Sequence, residues 1–320
     1  MHSLCFTADP CLCPMRLDTY ASSVQNISRS RLKTGLESVT VNGKNAKLSL
    51  RLKGGENICI AWEDPVPAYI KPQNIPLDIL FDNIDVTVVN KAQGMVTHPG
   101  AGNWEGTLVN ALLYHWGCRE KIEDVSSRPG IVHRLDKDTS GVLIAAKNRD
   151  AEVFLQSEFK NRRVKKEYIA IVRGHPPYLK GEIKNNIGRS PSNRKKFTVM
   201  RDAKTGKYAH TLYRCIGIYG PYSLMRIRIK TGRTHQIRVH MKYLGCPILG
   251  DSIYGVKDTL FTDAVLMLHA RTLSLRLPSY RQDTDMQHPV EFTAPVPRRF
   301  KKVLKTLHAE FKPTPLCRNT

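Results

Sequence analysis

Arg226-Ile227-Arg228-Ile229-Lys230-Thr231-Gly232-Arg233-Thr234-His235-Gln236-Ile237-Arg238-Val239-His240 reads as a strand, a turn and a helix in succession. Arg226, Arg228 and Lys230 alternate with Ile227 and Ile229, the two-residue period of a strand with one basic and one apolar face. Gly232 interrupts the strand. Thr234 is a good cap for a helix from His235 to Leu244, with Gly245 as its end and Pro247 blocking continuation. On that helix Ile237, Met241 and Leu244 share a face. Arg238 lies one position off it, so its stem can pack while its guanidinium reaches a cleft. Read alone, such an arginine would face solvent on a basic helix. Outward from this stretch, over residues 77 to 305, strands are separated mostly by turns and few helices intervene. The pattern predicts an α+β fold with a mixed, mainly antiparallel central sheet, not a doubly wound one.

The chain has 320 residues, enough for one large domain and a small one, and 41% of them are hydrophobic, enough for a core. Lys and Arg total 50 against 28 Asp and Glu, a formal net charge of +22. Such an excess repels itself unless a polyanion is nearby. No apolar run approaches the roughly 20 residues of a spanning helix, and no charged-then-apolar leader opens the sequence. The expected partner is therefore nucleic acid and not a membrane. The eight cysteines include no C-x-x-C pair, and Cys5, Cys11 and Cys13 lack a fourth ligand, so reduced thiols in a cytoplasmic protein are expected, with no metal.

Residues 15 to 63 read as a small basic module; organised sequence begins near Met15, which could serve as the start. Ser30 is placed to cap a helix before Leu32 and Leu36, and Val39 to Val41 enter an Asn42-Gly43 hairpin turn. Gly54-Gly55-Glu56 turns the chain before Ile58, Ile60 and Trp62, which alternate as a strand. Between Arg16 and Lys53 there are eight basic residues and two acidic ones, a solvated surface or a grip on phosphates. Ile27-Ser28-Arg29-Ser30, Val39 to Gly43 and Lys53 to Glu56, in that order and spacing, resemble the S4 RNA-binding domain. That resemblance implies RNA contacts through Arg29, Arg31 and Lys33. Prolines at 65, 67, 72 and 76 suggest a linker over 64 to 76. Residues 306 to 320 form a basic tail, either a surface helix or a free end.

The densest polar cluster is Pro129-Gly130-Ile131-Val132-His133-Arg134-Leu135-Asp136-Lys137-Asp138-Thr139-Ser140-Gly141, ahead of the apolar run Val142 to Ala146. It reads as a loop feeding a buried strand, where sites tend to lie. Arg134 and Lys137 would favour an ionised Asp136, the form a nucleophile or base needs. Turn chemistry by the neighbouring carboxylate, Asp138 with Thr139 or Ser140, explains the same residues. Residue chemistry alone leaves both readings open.

His133-Arg134-Leu135-Asp136 followed by Thr139-Ser140-Gly141 resembles the signature of the RluA-type pseudouridine synthases. Phe81 to Val86, Asn90 to Pro99, Thr231 to His240, Leu249-Gly250-Asp251 and Phe292 to Pro295 are similar to other landmarks of that family, over about 77 to 300. His98 to Asn103 is similar to its large-subunit ribosomal RNA branch. The resemblance implies that Asp136 is the catalytic aspartate, Tyr168 the active-site tyrosine and Arg238 a bidentate partner of Asp136. It implies an isomerase without cofactor acting on ribosomal RNA or an assembling particle. Arg134 would fill the space left by a flipped uridine, with Arg226, Arg228 and Arg233 on the RNA surface. A monomer is expected.

Two other readings compete. A non-catalytic RNA-binding or ribosome-assembly protein explains the charge but does not require Asp136, Tyr168 and Arg238 together. A nucleotide-using enzyme built on Gly100, Gly102 and Gly106 has a spacing one residue too long for a dinucleotide loop. His235 and His240 would lie about 140° apart on a helix and do not converge on a metal.

Overall fold

The computed structural model describes residues 2–10, 14–25, 27, 32, 35–63, 69–100, 103–118, 129–191, 193, 196–200, 202, 204–278 and 288–314. The chain divides into two compact units, one comprising Met1–Tyr69 and the other Ile70–Lys121 with Ser127–Thr320.

The first unit contains β1 (His2–Thr7), β2 (Met15–Arg16), α1 (Leu17–Val24), β3 (Leu36–Val41), β4 (Lys44–Asn45), β5 (Arg51–Leu52) and β6 (Asn57–Trp62). A sheet runs in the order β1-β6-β3-β4. Asn42 and Gly43, at φ 50° and 75°, make the left-handed turn between β3 and β4 that the Asn-Gly pair predicts. Ile58, Ile60 and Trp62 are buried with Leu17, Tyr20 and Leu32. Two expectations need correcting. Organised structure begins before Met15, because β1 pairs with β6, and its inward residues Leu4 and Phe6 already alternate in the sequence. Cys5 and Cys59 are not reduced thiols but a disulfide. Strand register sets them directly opposite, with Cα atoms 4.1 Å apart across a sequence separation of 54, so no local spacing announces the pair. Arg29, Arg31 and Lys33, with the helix cap expected at Ser30, lie outside the described residues.

The second unit contains β7 (Ile79–Asp82), β8 (Val86–Lys91), α2 (Leu108–His115), β9 (Ser140–Ala146), α3 (Arg149–Lys160), β10 (Lys165–Arg173), β11 (Lys180–Arg189), β12 (Phe197–Val199), β13 (Lys207–Tyr219), β14 (Tyr222–Ile229), α4 (Gln236–Tyr243), β15 (Leu268–Leu275), β16 (Val290–Thr293) and α5 (Arg298–Glu310). Its sheet has the order β12-β11-β13-β14-β10-β15-β9-β8-β7, with β16 also on β15. Among the described residues β9 and β15 run parallel and the other pairs antiparallel, so the fold is α+β with a mixed, mainly antiparallel sheet.

β9 is buried along its whole length. Leu143 and Ala145 join one apolar cluster, and Val142, Ile144 and Ala146 join another, so the strand is covered on both faces. Its start is tightly constrained. Gly141 has φ +119°, and a Cβ there would lie 2.1 Å from the Ala270 carbonyl oxygen of β15. The helix after β14 differs from expectation at its first turn. It starts at Gln236; His235 is left-handed at φ 56°, and no side chain caps at that position. The Gln236 side chain closes the turn instead of Thr234: its Oε1 accepts from the Arg233 amide (3.0 Å) and from Thr231 Oγ1 (2.8 Å). The far end is as expected, with Gly245 at φ 78° before Pro247. α5 packs Phe300, Val303 and Leu307 into the main core.

His240 and His269 are both fully buried, and burial lowers each to about 4 from 6.5. Gln236 Nε2 donates to Thr211 Oγ1 (2.8 Å), Thr211 Oγ1 is hydrogen-bonded to His240 Nδ1 (2.8 Å), and His240 Nε2 donates to Asn185 Oδ1 (2.9 Å). Burial is what favours the neutral ring here. Because the folded values lie below the unfolded one, the stability these rings contribute is fully present above pH 6.5. It is lost as pH falls toward 4, at about 1.4 kcal/mol per histidine per pH unit. Melting temperature measured from pH 7 to 4 is expected to fall in that window, and His240→Gln to flatten the fall.

Candidate active site

A cavity of about 700 Å³ opens in the second unit, within the usual range for ligand sites. It is lined by residues of Val96 to Gly100 with Asn103, by Ile131 to Asp136 with Thr139, by Phe159, Lys166 and Tyr168, by residues of Ile229 to Arg238, and by Leu268 of β15. Asp136, Tyr168, Arg238, Arg134 and Arg233 all line it, so the structure brings together the three expected catalytic residues and two of the expected RNA contacts. Among the described residues Asp136 is the cavity's sole carboxylate, facing Arg134, Lys166, Arg233 and Arg238. Arg226 and Arg228 are exposed on β14 and do not line the cavity. Arg228 is ion-paired with Glu167 across the strand pair, which leaves less of its charge for phosphate.

The loop bearing Asp136 is held by its backbone. Thr97 Oγ1 donates to the Leu135 carbonyl (2.8 Å), the Gly94 amide to Lys137 O (2.9 Å) and the Thr139 amide to Asp136 O (3.1 Å). Beneath it Lys91, 1% exposed, donates its ammonium to the carbonyls of Ala92 (2.9 Å), Met95 (2.7 Å) and Lys137 (3.2 Å). Burial lowers Lys91 to about 7, against the opposing pull of Asp136 and Asp138. His133 is stacked on Phe159 at 4.6 Å, and its Nε2 accepts the Ile144 amide at 3.1 Å. Burial, helped by the Lys166 charge, lowers it to about 3, so it is a neutral anchor for the loop.

Arg238 is placed differently from expectation. Its Nε and Nη2 grip Asp251, at 2.8 and 2.7 Å, while Nη1 stands 3.9 Å from Asp136 Oδ2. The bidentate partner is therefore Asp251, which also accepts the amides of Ile253 and Tyr254. Burial works to raise Asp251, but the Arg238 hydrogen bonds and charge hold it below the usual carboxylate range. Arg238 shows the mirror balance and rises: burial is outweighed by Asp251, with Asp136 contributing. Asp251 thus fixes the guanidinium so that its remaining nitrogen faces Asp136.

Tyr168 sits beside a β-bulge between Glu167 and Tyr168, a device that re-aims a side chain. Burial first, then the Asp136 charge, pushes its phenol well up, so it carries its proton at neutral pH. Sequence reading did not single out His235 for the site. Tyr254 Oη accepts the Phe197 amide (2.8 Å) and is hydrogen-bonded to His235 Nδ1 (2.9 Å). Burial lowers His235, which keeps it neutral. Its left-handed backbone was the structural signal, and a His in a Thr-His-Gln turn gives no hint of it.

Residues 85–243 match the family model described as RNA pseudouridylate synthase. A Chlorobaculum parvum protein named "Uncharacterized RNA pseudouridine synthase" is 41% identical over 92% of this chain and 94% of its own length. The chain belongs to the RNA pseudouridylate synthase family. A Borreliella burgdorferi relative named "Ribosomal large subunit pseudouridine synthase D" is 42% identical over 89% of this chain and 87% of its own. The structure is similar to Human RNA Pseudouridylate Synthase Domain Containing 1, with TM-score 0.57 and 29% identity over 76% of this chain and 91% of the other. As a pseudouridylate synthase the chain is an isomerase that converts uridine to pseudouridine in RNA. The family model spans the Asp136 loop, Tyr168 and Arg238.

Proposed function

We propose that this pseudouridine synthase uses Asp136 as its catalytic carboxylate on uridines of large-subunit ribosomal RNA. The observation that carries the assignment is that Asp136 is the one carboxylate lining the cavity among the described residues, with Arg238 Nη1 3.9 Å away and Tyr168 in the same wall. The reaction breaks the bond from ribose C1′ to uracil N1, turns the base and rejoins it through C5, whose hydrogen leaves as a proton. It needs an ionised carboxylate at the sugar and a group that handles a proton at the base. The uridine first leaves its stack. Arg134, exposed at the rim, is suited to fill the vacated space, since a flat guanidinium stacks and bonds phosphate together. Tyr168 packs against the flipped base, and Arg238 positions Asp136.

The names of several relatives and the sequence from His98 to Asn103, of which His98, Pro99, Gly100 and Asn103 line the cavity, support the large-subunit substrate. The first unit, read as S4-like, adds affinity for RNA; the enzyme acts as a cytoplasmic monomer on free RNA or an assembling particle. Pseudouridine mapping in ribosomal RNA from cells lacking the protein tests this. One or a few large-subunit positions should lose the modification and regain it with the wild-type chain. An unchanged large-subunit map would remove the substrate assignment. For Tyr168→Phe, RNA affinity should persist while turnover slows on the order of 10²-fold. Unchanged turnover would remove its proton-handling role.

A further inference from the structure

A second cavity, of about 250 Å³, adjoins the first and shares Phe159, Lys166, Gly232 and Arg233 with it. It lies where the connection from α3 to β10 meets the connection from β14 to α4. Lys160, Arg162 and Lys166 come from one side, and Lys230 and Arg233 from the other. No carboxylate lines it among the described residues. Elsewhere on this surface cations are neutralised by neighbours, as Arg228 is by Glu167, Arg276 by Glu158 and Lys147 by Asp82. Here Lys160, Arg162, Lys166 and Lys230 make no ion pair with a described carboxylate. Arg233 spends Nε on the Tyr208 carbonyl (2.9 Å) and keeps its other donors. Arg162 is held at a left-handed φ of 57°, where a side chain is strained, at the turn that brings it to the cavity. Lys166 lies over the Phe159 ring, 5.4 Å from its centroid, and burial lowers it to about 8. A lysine desolvated against an aromatic ring with no carboxylate partner gains most from an anion brought to it.

We propose that this cavity seats a backbone phosphate of the RNA strand immediately flanking the nucleotide held in the Asp136 cavity. The ligand class is a phosphodiester, because the charged groups lining the cavity are multiple and exclusively cationic, and because the cavity shares Phe159, Lys166, Gly232 and Arg233 with the one that holds Asp136. Lys166 and Arg233, common to both, would link recognition of the flanking phosphate to placement of the base. This inference rests on the proposed function for the identity of the strand.

The test is the salt dependence of binding to a single-stranded RNA oligonucleotide of large-subunit sequence, read by fluorescence anisotropy. Lys160 and Lys230 are exposed, so Lys160→Met with Lys230→Met leaves the core untouched. The double variant should lower the slope of log affinity against log salt by about 0.7 for each phosphate that is no longer neutralised. Lys301→Met with Lys302→Met, exposed on α5, is the control and should leave the slope at its wild-type value. Replacing the phosphates flanking the target uridine by neutral methylphosphonates should weaken wild-type binding by more than it weakens binding of the Lys160/Lys230 variant, which keeps Arg162, Lys166 and Arg233. An unchanged slope in the double variant, an equal loss in the control, or equal sensitivity of both proteins to the neutral linkage would each overturn the proposal. The readout is binding alone, so failure of Asp136 as the catalytic residue would leave these slopes in place and is distinguishable.

Discussion

Asp136→Asn is expected to lower pseudouridine formation by at least about 10³-fold while RNA affinity stays within a few-fold of wild type. The substitution keeps the shape of the side chain and removes its charge. Its structural cost should be small, because the loop is positioned through backbone bonds from Lys91, Gly94, Thr97 and Thr139 and not through the carboxylate. Among the described residues the carboxylate makes one ion contact, at 3.9 Å, with an arginine that Asp251 already holds. Removing a negative charge from a cavity lined by Arg134, Lys166, Arg233 and Arg238 should not weaken binding of a polyanion. Loss of product with retained binding separates chemistry from recognition. Loss of both would make Asp136 a structural residue.

The second large effect is expected at Asp251. Arg238 and Asp251 have side-chain exposures of 4% and 0%, and they form a bidentate pair. Asp251→Ala leaves a buried guanidinium without its hydrogen-bonded partner and frees the Ile253 and Tyr254 amides. Breaking such a pair from one side costs about 3–5 kcal/mol, measurable as a lower denaturation midpoint. Turnover of the folded fraction should also fall, because the guanidinium is then free to swing onto Asp136. Asp251→Asn retains an acceptor for the amides and should lose less stability than Asp251→Ala. Equal stability of Asp251→Ala and wild type would mean that the pair does not hold Arg238 in place.

What the sequence disclosed follows the range of the interactions concerned. The alternation in Arg226 to Lys230 and the apolar run at Val142 are local periodicities, and both strands are present. The Asn42-Gly43 turn is local too. Arg238 was legible as a cleft arginine but its partner was not. Asp251 meets it only because the chain turns back after Gly245, and nothing in the spacing ranks Asp251 above Asp136. Lys91 reads as an ordinary strand-end lysine; its role under the Asp136 loop depends on a carbonyl from residue 137. The helix start was misread because Thr234 is a good cap by type, whereas Gln236 competes by reaching back to both Thr231 and Arg233. The Cys5–Cys59 bond depends on strand register between segments 54 residues apart.

The most direct measurement is tritium release from large-subunit ribosomal RNA transcript labelled at uridine C5, with wild type and Asp136→Asn under single-turnover conditions and saturating enzyme. With Asp136 as the catalytic carboxylate, the wild type releases tritium without added nucleotide. Asp136→Asn then releases none above background, although it retains the transcript on a filter. Release by Asp136→Asn at a rate near wild type would contradict that role.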